Sequence, residues 1–349
     1  MKARVVIDSN FGDAGKGKIV DHLCASQGAG IVVRFSGGAN AGHTVCTGAE
    51  RHVFHHIGSG ALLDVPTFLS EFFICNPILF FKERDDLIKL GFHPVVYAHP
   101  DCLITTFADM VINQFKEQQR GPKRHGSCGV GVHETITRSR VKELKITMGD
   151  LWNGSKRLEA QLVEICGKYA EYRTGAKIDF EQGIKVFMEC CEQFANCIHP
   201  LGIGQCVDPV FEGSQGLLLD QNNKEFFPHV THANTGMTNV EILCAQAGIT
   251  EKEIYYVSRT YLTRHGAGRL PGEDSSLHFE DDTNLPNPFQ GTLRFAPLDN
   301  RLKERCAQDA GNNPWKLVMT HCDQLPSSLE ADFYSHGPLR TDIGVKRSL

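Results

Sequence analysis

Residues 3–8 (ARVVID) form a β-branched run that breaks off into a glycine loop, NFGDAGKGK over 10–18. A helical pattern then reaches about Ser26, and a second apolar run follows at 30–35 (GIVVRF). Strand, glycine loop, helix and strand in such close succession predict a βαβ unit on a parallel sheet. Further strands are expected at 71–75, 94–98, 209–213, 254–262 and 316–322, and helices at 78–90, 104–118, 155–171 and 179–195. The pattern predicts one α/β domain over 1–349, with a helical insertion at about 115–205 where strand signals are weak.

Composition excludes some partners. The net charge is −5, and GPKRHG at 121–126 is the densest basic cluster, so nothing points to nucleic acid. Thirteen cysteines, without any C-x-x-C pair, match neither a zinc framework nor a secreted disulfide pattern. Reduced thiols in a cytoplasmic protein are expected. The N-terminus turns polar too early for a signal peptide, and no run approaches the ~18 apolar residues of a membrane span.

Read from Gly12, the first loop has the G-x-x-x-x-G-K spacing of a phosphate-binding P-loop, closing on Gly17 and Lys18. Two things do not fit: Asp13 lies inside the loop, and Ile19 stands where a magnesium-binding hydroxyl should follow. Three more glycine-bearing segments follow predicted strands, at 36–44 (SGGANAGHT), 213–220 (GSQGLLLD) and 263–271 (TRHGAGRLP). Parallel sheets bind ligands at the carboxyl ends of their strands, so all four loops are expected at one crevice. A single such loop is more often a turn than a site. Four, each with Asn, His, Gln or Arg embedded, have no purely structural explanation. A guanine-nucleotide switch protein is the alternative of another class, and Ile19 counts against it.

The segments FGDAGKGKIVDHL, VVRFSGGANAGHTV, FEGSQGLLLD, PHVTHANT, TRHGAGRLP and SHGPLRT, in this order between residues 4 and 341, resemble the motifs of adenylosuccinate synthetases. The resemblance implies a large, mostly parallel central sheet with helices on both faces and helical insertions, related to P-loop folds. It also implies a homodimeric carbon–nitrogen ligase that joins L-aspartate to the 6-position of IMP, using GTP and Mg2+. A purine 6-oxo group leaves poorly, so it is first phosphorylated, and a base that removes the N1 proton makes that oxygen a nucleophile. By resemblance Asp13 is this base and a magnesium ligand. His43 donates to the 6-oxygen, Gly42 offers its carbonyl to magnesium, and Lys16 and Gln215 complete the catalytic group. Gly12, Gly15, Lys16, Gly17, Lys18, Gly42, His43 and Thr44 would surround the NTP phosphates. Asn40, Gln215, Thr231, Ser127 and Cys128 would hold the monophosphate, with Arg138 or Arg140 entering from the neighbouring subunit. Thr292 and Arg294 correspond to the aspartate loop, where a dicarboxylate suits a bidentate arginine.

The chain departs from the family at both nucleotide ends. The guanine-recognition motif reads Thr320, His321, Cys322, Asp323, with His321 in place of lysine, and Ser335, Gly337 and Pro338 as the opposing platform. GTP is expected, with ATP or dATP as the alternative. His265 replaces valine on the ribose wall. These traits resemble a compact branch that includes phage 2-aminoadenylosuccinate synthetases, which act on dGMP in the host cytoplasm. dGMP is therefore expected ahead of IMP, although many phage members carry Ser where Asp13 stands. Acceptors for a 2-amino group are expected among the carbonyls of the 9–14 loop, near Ser9 and Asn10.

Overall fold

The computed structural model describes residues 2–121, 127–172, 175, 178–284 and 291–345. The expected βαβ start is present: β1 (Lys2–Asp8), α1 (Lys16–Gln27) and β2 (Ile31–Arg34). A hairpin, β3 (His43–Cys46) and β4 (Arg51–Phe54), carries the end of the second glycine loop away from the sheet. The chain returns through β5 (Thr67–Leu69), β6 (Ile74–Cys75), α2 (Pro77–Lys89), β7 (Val96–Ala98) and β8 (Leu103–Ile104). Asn76 caps α2 by accepting from the Leu79 amide, with Pro77 in its first turn.

Helices dominate next: α3 (Phe107–Arg120), α4 (Val132–Ser139), α5 (Met148–Trp152), α6 (Ser155–Lys168) and α7 (Phe180–Cys197). β9 (Ile198–Pro200) then adds to the sheet edge, and β10 (Pro209–Gly216) to its centre. The remainder runs α8 (Met237–Ala247), β11 (Glu251–Arg259), β12 (Tyr261–Arg264), β13 (Arg294–Pro297), α9 (Leu302–Ala310), β14 (Trp315–Thr320), β15 (Phe333–Ser335) and β16 (Ile343–Gly344).

Ten strands form one sheet in the order β16-β15-β14-β11-β1-β10-β2-β5-β7-β9, parallel except for β16. Both faces are covered, as a parallel sheet requires. Along β1, Val6 packs with α1 residues such as Ile19 and Leu23, while Val5 and Ile7 pack with Val240 and Leu243 of α8 and Leu302 of α9. A third apolar cluster joins Phe80 and Leu87 of α2 to Phe187 and Phe194 of α7. Two strand expectations need correction. Residues 71–75 supply only β6, outside the main sheet, whereas β5 fills the sheet position. Residues 254–262 are split between β11 and the separate β12–β13 hairpin. Among the described residues no helix is long and apolar enough to cross a membrane.

Candidate active site

All four glycine segments reach one cleft of about 490 Å³. Its walls include Gly12 and Asp13, Asn40 and Gly42, Ser214 and Gln215, and Arg264 and His265. Ser127, Cys128 and Thr231 line it as well. β1, β2 and β10 are neighbours in the sheet, so the loops leaving their carboxyl ends converge without long excursions.

The loop after β1 is held open from within. Asp8, fully buried, accepts from the Asn10 and Gly12 amides through Oδ1 (2.8 and 3.2 Å) and from the Ala14 amide through Oδ2 (2.8 Å). Gly12 takes φ 116°, which a side chain would resist. The Gly12 amide, expected to face phosphate, is therefore committed to Asp8. The free end of α1 beyond Gly15 remains as the anion-facing part of the loop. Lys16 is buried, with Nζ 2.7 Å from the Gly12 carbonyl and 3.6 Å from Asp8 Oδ2. Gly17 lets α1 approach the hairpin: a Cβ there would lie 3.0 Å from His43 Cβ and from Ser59 Oγ. Ile19 is buried in the core, so position 19 does not face the loop.

Lys18 departs from the phosphate-binding expectation. Its Nζ donates to Ser335 Oγ (2.5 Å) and to the Gly337 carbonyl (2.7 Å), tying α1 to the base platform. Burial lowers its pKa to about 8, against the charges of Asp323 and Asp342. On the same side, the Cys322 amide donates to the Ser335 carbonyl (3.0 Å), so 321–323 and 335–338 form one unit. His321 adopts φ 57° and shares a 2.9 Å hydrogen bond with Thr320 Oγ1; Asp323 is exposed.

Asp13 points its carboxyl into the cleft, where the side chain keeps a quarter of its exposure. Burial raises its pKa above the ordinary value, while the charges of His265, Arg259 and Lys16 oppose the rise. A closed ring of contacts positions it. Arg259 Nε donates to the Asp13 carbonyl (2.6 Å) and Nη2 to Asp281 (2.7 Å). Asn284 Nδ2 donates to Asp281 (2.9 Å), and His265 Nε2 lies 3.0 Å from Asn284 Oδ1 and 3.8 Å from Asp13 Oδ2. An amide oxygen only accepts, so His265 Nε2 carries the proton. Its Nδ1 is buried and has no hydrogen-bond partner among the described residues.

His43 is gripped by a residue that the sequence did not single out. Nδ1 lies 2.5 Å from Glu212 Oε1; Ser59 donates to both Glu212 oxygens, and Arg34 Nη1 stands 3.9 Å away. Burial holds His43 at about 4 against the pull of Glu212. For Glu212 burial acts upward, but His43 and Arg34 outweigh it and bring the carboxyl to about 2. The pair is a neutral imidazole donating Nδ1–H to a carboxylate, which fixes the ring and the tautomer.

Other expected residues fall elsewhere. Arg138 is fully buried: Nε bonds Asp109 (2.9 and 3.0 Å), Nη1 donates to the Leu144 carbonyl (2.6 Å) and Nη2 to the Ile104 carbonyl. It cannot cross to another subunit; Arg140, exposed on the same helix end, can. Arg294 is engaged by Glu273 (2.6 Å) and by the Gly266 and Gly268 carbonyls, and neither it nor exposed Thr292 lines the cleft. Thr44 is half-buried, its Oγ1 3.5 Å from Thr283 Oγ1, outside the cleft lining. The Ser9 and Asn10 side chains are bonded to Val257, Ser258 and Arg305, and the carbonyls of Asn10, Gly12 and Asp13 are occupied. Asn40 Oδ1 and His265 Nδ1 are buried and have no hydrogen-bond partner among the described residues. Pro122–Gly126 and Leu285–Gln290, parts of the expected monophosphate and aspartate loops, lie outside the described residues.

The adenylosuccinate synthetase family model matches residues 5–287. Adenylosuccinate synthetases of Acinetobacter baylyi and Alkalilimnicola ehrlichii are 29% and 31% identical over 300 and 289 residues, which cover 80% and 77% of this chain. The chain spans only 65% and 64% of the length of these two curated relatives. The fully ligated adenylosuccinate synthetase of Plasmodium falciparum superposes with a TM-score of 0.78 at 16% identity, covering 99% of both chains. The cyanophage S-2L succinoaminodeoxyadenylate synthetase, solved with dGMP and dATP as energy donor, gives 0.69 at 13% identity, covering 99% of this chain and 96% of its own. These two likenesses establish the same α/β fold, and with the family match over residues 5–287 the chain belongs to the adenylosuccinate synthetase family.

Proposed function

We propose that the protein is a ligase joining L-aspartate to the 6-position of a purine nucleoside monophosphate, through a 6-phosphoryl intermediate formed at the expense of an NTP. The observation that carries this reading is the Asp13 carboxyl, presented in the cleft without a hydrogen-bond donor among the described residues and backed by Lys16 and the His43–Glu212 pair. Asp13 takes the N1 proton of the purine, and the 6-oxygen becomes the nucleophile. His43 gives Nδ1–H to Glu212 and has Nε2 3.4 Å from the Ser214 carbonyl, behind the cleft lining; in this tautomer it cannot donate to the 6-oxygen as expected, and Lys16 supplies positive charge beside the loop. Asp13 and the exposed Gly42 on the facing segment offer the oxygen ligands that magnesium favours, and the ion would neutralise phosphate charge when bound.

The monophosphate is dGMP in this reading. Its 2-amino group requires an acceptor beside the Asp13 carboxyl, and this reading assigns it to the polar groups that line the cleft around Asp13, Asn40 and His265 among them. The likeness to a dGMP-bound phage synthetase agrees with this. A site with a buried acceptor discriminates strongly against a ligand that leaves it unpaired. IMP is the second reading, favoured by the sequence relatives named adenylosuccinate synthetase. GTP is the preferred donor, with ATP or dATP as the alternative, and a homodimer the working assembly. The test is a competition of equal dGMP and IMP with aspartate and GTP, ATP or dATP, resolved by product mass. Succinylated 2-amino-deoxyadenylate should dominate; a pool dominated by adenylosuccinate would overturn dGMP. NTP hydrolysis indifferent to aspartate would overturn the ligase.

A further inference from the structure

Two histidines without a role in the reaction above meet inside the cleft. His133 is the second residue of α4, and His232 follows Thr231 on the loop before α8. Both side chains line the cleft, as do Ser127, Cys128 and Thr231. His133 Nδ1 and His232 Nε2 are 2.6 Å apart, with ring centroids 4.4 Å apart. So short a contact requires one proton between the two nitrogens.

The proton count has a consequence. In the neutral pair two protons are present, one between the rings and one on an outward nitrogen. The other outward nitrogen is a lone pair. Adding one proton turns both outward positions, His133 Nε2 and His232 Nδ1, into N–H donors and gives the pair a single positive charge. The protonated pair is a two-pronged donor suited to an anion.

The surroundings keep it unprotonated until an anion arrives. Partial burial lowers both imidazoles below their ordinary value. Lys116 and Arg120 of α3 and Arg140 beyond α4 add to the lowering at His133, while Glu134 opposes it. At His232 the added charges are those of His133 and Arg140. Glu134 is itself bonded to Lys116 (3.0 Å), which blunts its effect. A phosphate dianion brought against the outward nitrogens reverses the balance, because an opposite charge favours the protonated form.

We propose that His133 and His232 form a proton-loaded receptor for the phosphate group of the monophosphate substrate, so that this substrate binds together with a proton. The identity of the ligand rests on the ligase reading. The receptor does not, because inorganic phosphate has the same chemistry.

The test is calorimetric titration at pH 7.5, where the ligand phosphate is mostly dianionic, in two buffers of different ionisation heat. Ligands are dGMP, IMP, deoxyguanosine and inorganic phosphate. Proton uptake is expected with the phosphate-bearing ligands and not with the nucleoside. His133→Gln and His232→Gln, exposed positions expected to leave the melting temperature unchanged, should each abolish the uptake. Each should weaken monophosphate binding about tenfold at pH 6.5 and little at pH 8.5, as expected for loss of one charge-assisted bond. Binding without proton uptake, or weakening equal at both pH values, overturns the receptor. Uptake with inorganic phosphate but no affinity for either purine monophosphate sustains the receptor and sinks the ligase reading.

Discussion

Asp13 shows how one residue is given a function by contacts that its own segment does not contain. Its carbonyl is held by Arg259 and its carboxyl faces His265, and both are referred through Asp281 and Asn284 to a loop remote in sequence. Removing the carboxyl leaves Asn40, Thr231 and the Ser127 loop in place, because they stand on other elements. Asp13→Ala should therefore lower turnover at least about 100-fold, the loss expected for a general base, while the monophosphate dissociation constant moves little. Steady-state kinetics with equilibrium binding will check this, and turnover within a few-fold of wild type would remove Asp13 from the chemistry. Asp13, His43 and the loop glycines were legible because glycine clusters after strands announce a site. Asp8 and Glu212 were not: both lie inside buried strands, where a carboxylate in the sequence carries no sign of its partners. Lys18 was misread for a related reason. P-loop spacing assigns a lysine to phosphate, and only the fold reveals the platform of 335–337 beside it.

At the scale of elements, α2 does more than cover the sheet. Its Glu83 is buried and collects the backbone N–H groups of His55, His56 and Ile57 (2.8–3.0 Å) together with His56 Nδ1 (3.1 Å). That turn follows the β3–β4 hairpin, which begins at His43, so α2 braces the hairpin from behind. Burial alone would raise the Glu83 pKa, but the hydrogen bonds from the His56 side chain and backbone bring it below the ordinary 4.5. A carboxyl held lower in the folded chain contributes stability above the unfolded value of 4.5, and this is lost as pH falls through the folded value. Glu83→Ala should cost about 3–5 kcal/mol in urea denaturation at pH 7, because it strands several buried donors. The acid limb of stability below pH 4.5 should flatten in the variant; a loss within about 1 kcal/mol would mean that α2 does not brace the hairpin. The long helices were legible from apolar periodicity. β5 was not: three residues are too few for a period, and the aromatic run at 71–75 drew the strand assignment one element too late.

For the whole molecule, the sheet order divides the site. In the proposed reading the monophosphate side is built beyond β10 and β2 with α3, α4 and the 228–234 loop, and the NTP base side beyond β14 and β15. Asp13 and His43 stand between them. With Arg138 consumed inside the fold, Arg140 is the remaining one of the two expected arginines, exposed, near enough to His133 and His232 to act on their charge, and without an ion-pair partner among the described residues. A twofold dimer that joins the rims bearing Arg140 places each Arg140 against the other copy's cleft. The consequence can be read from mixed subunits. Asp13→Ala and Arg140→Ala are each expected to be nearly inactive alone. In a mixed dimer one cleft collects both lesions, while the other has an intact Asp13 and receives an intact Arg140. Co-refolding equal amounts of the two variants should then restore about a quarter of wild-type activity, since half of randomly formed dimers are mixed and each has one sound site. If Arg140 served the cleft of its own chain, every cleft in the mixture would carry a lesion. Activity would stay at the level of the parents, and the shared-rim dimer would fail with it.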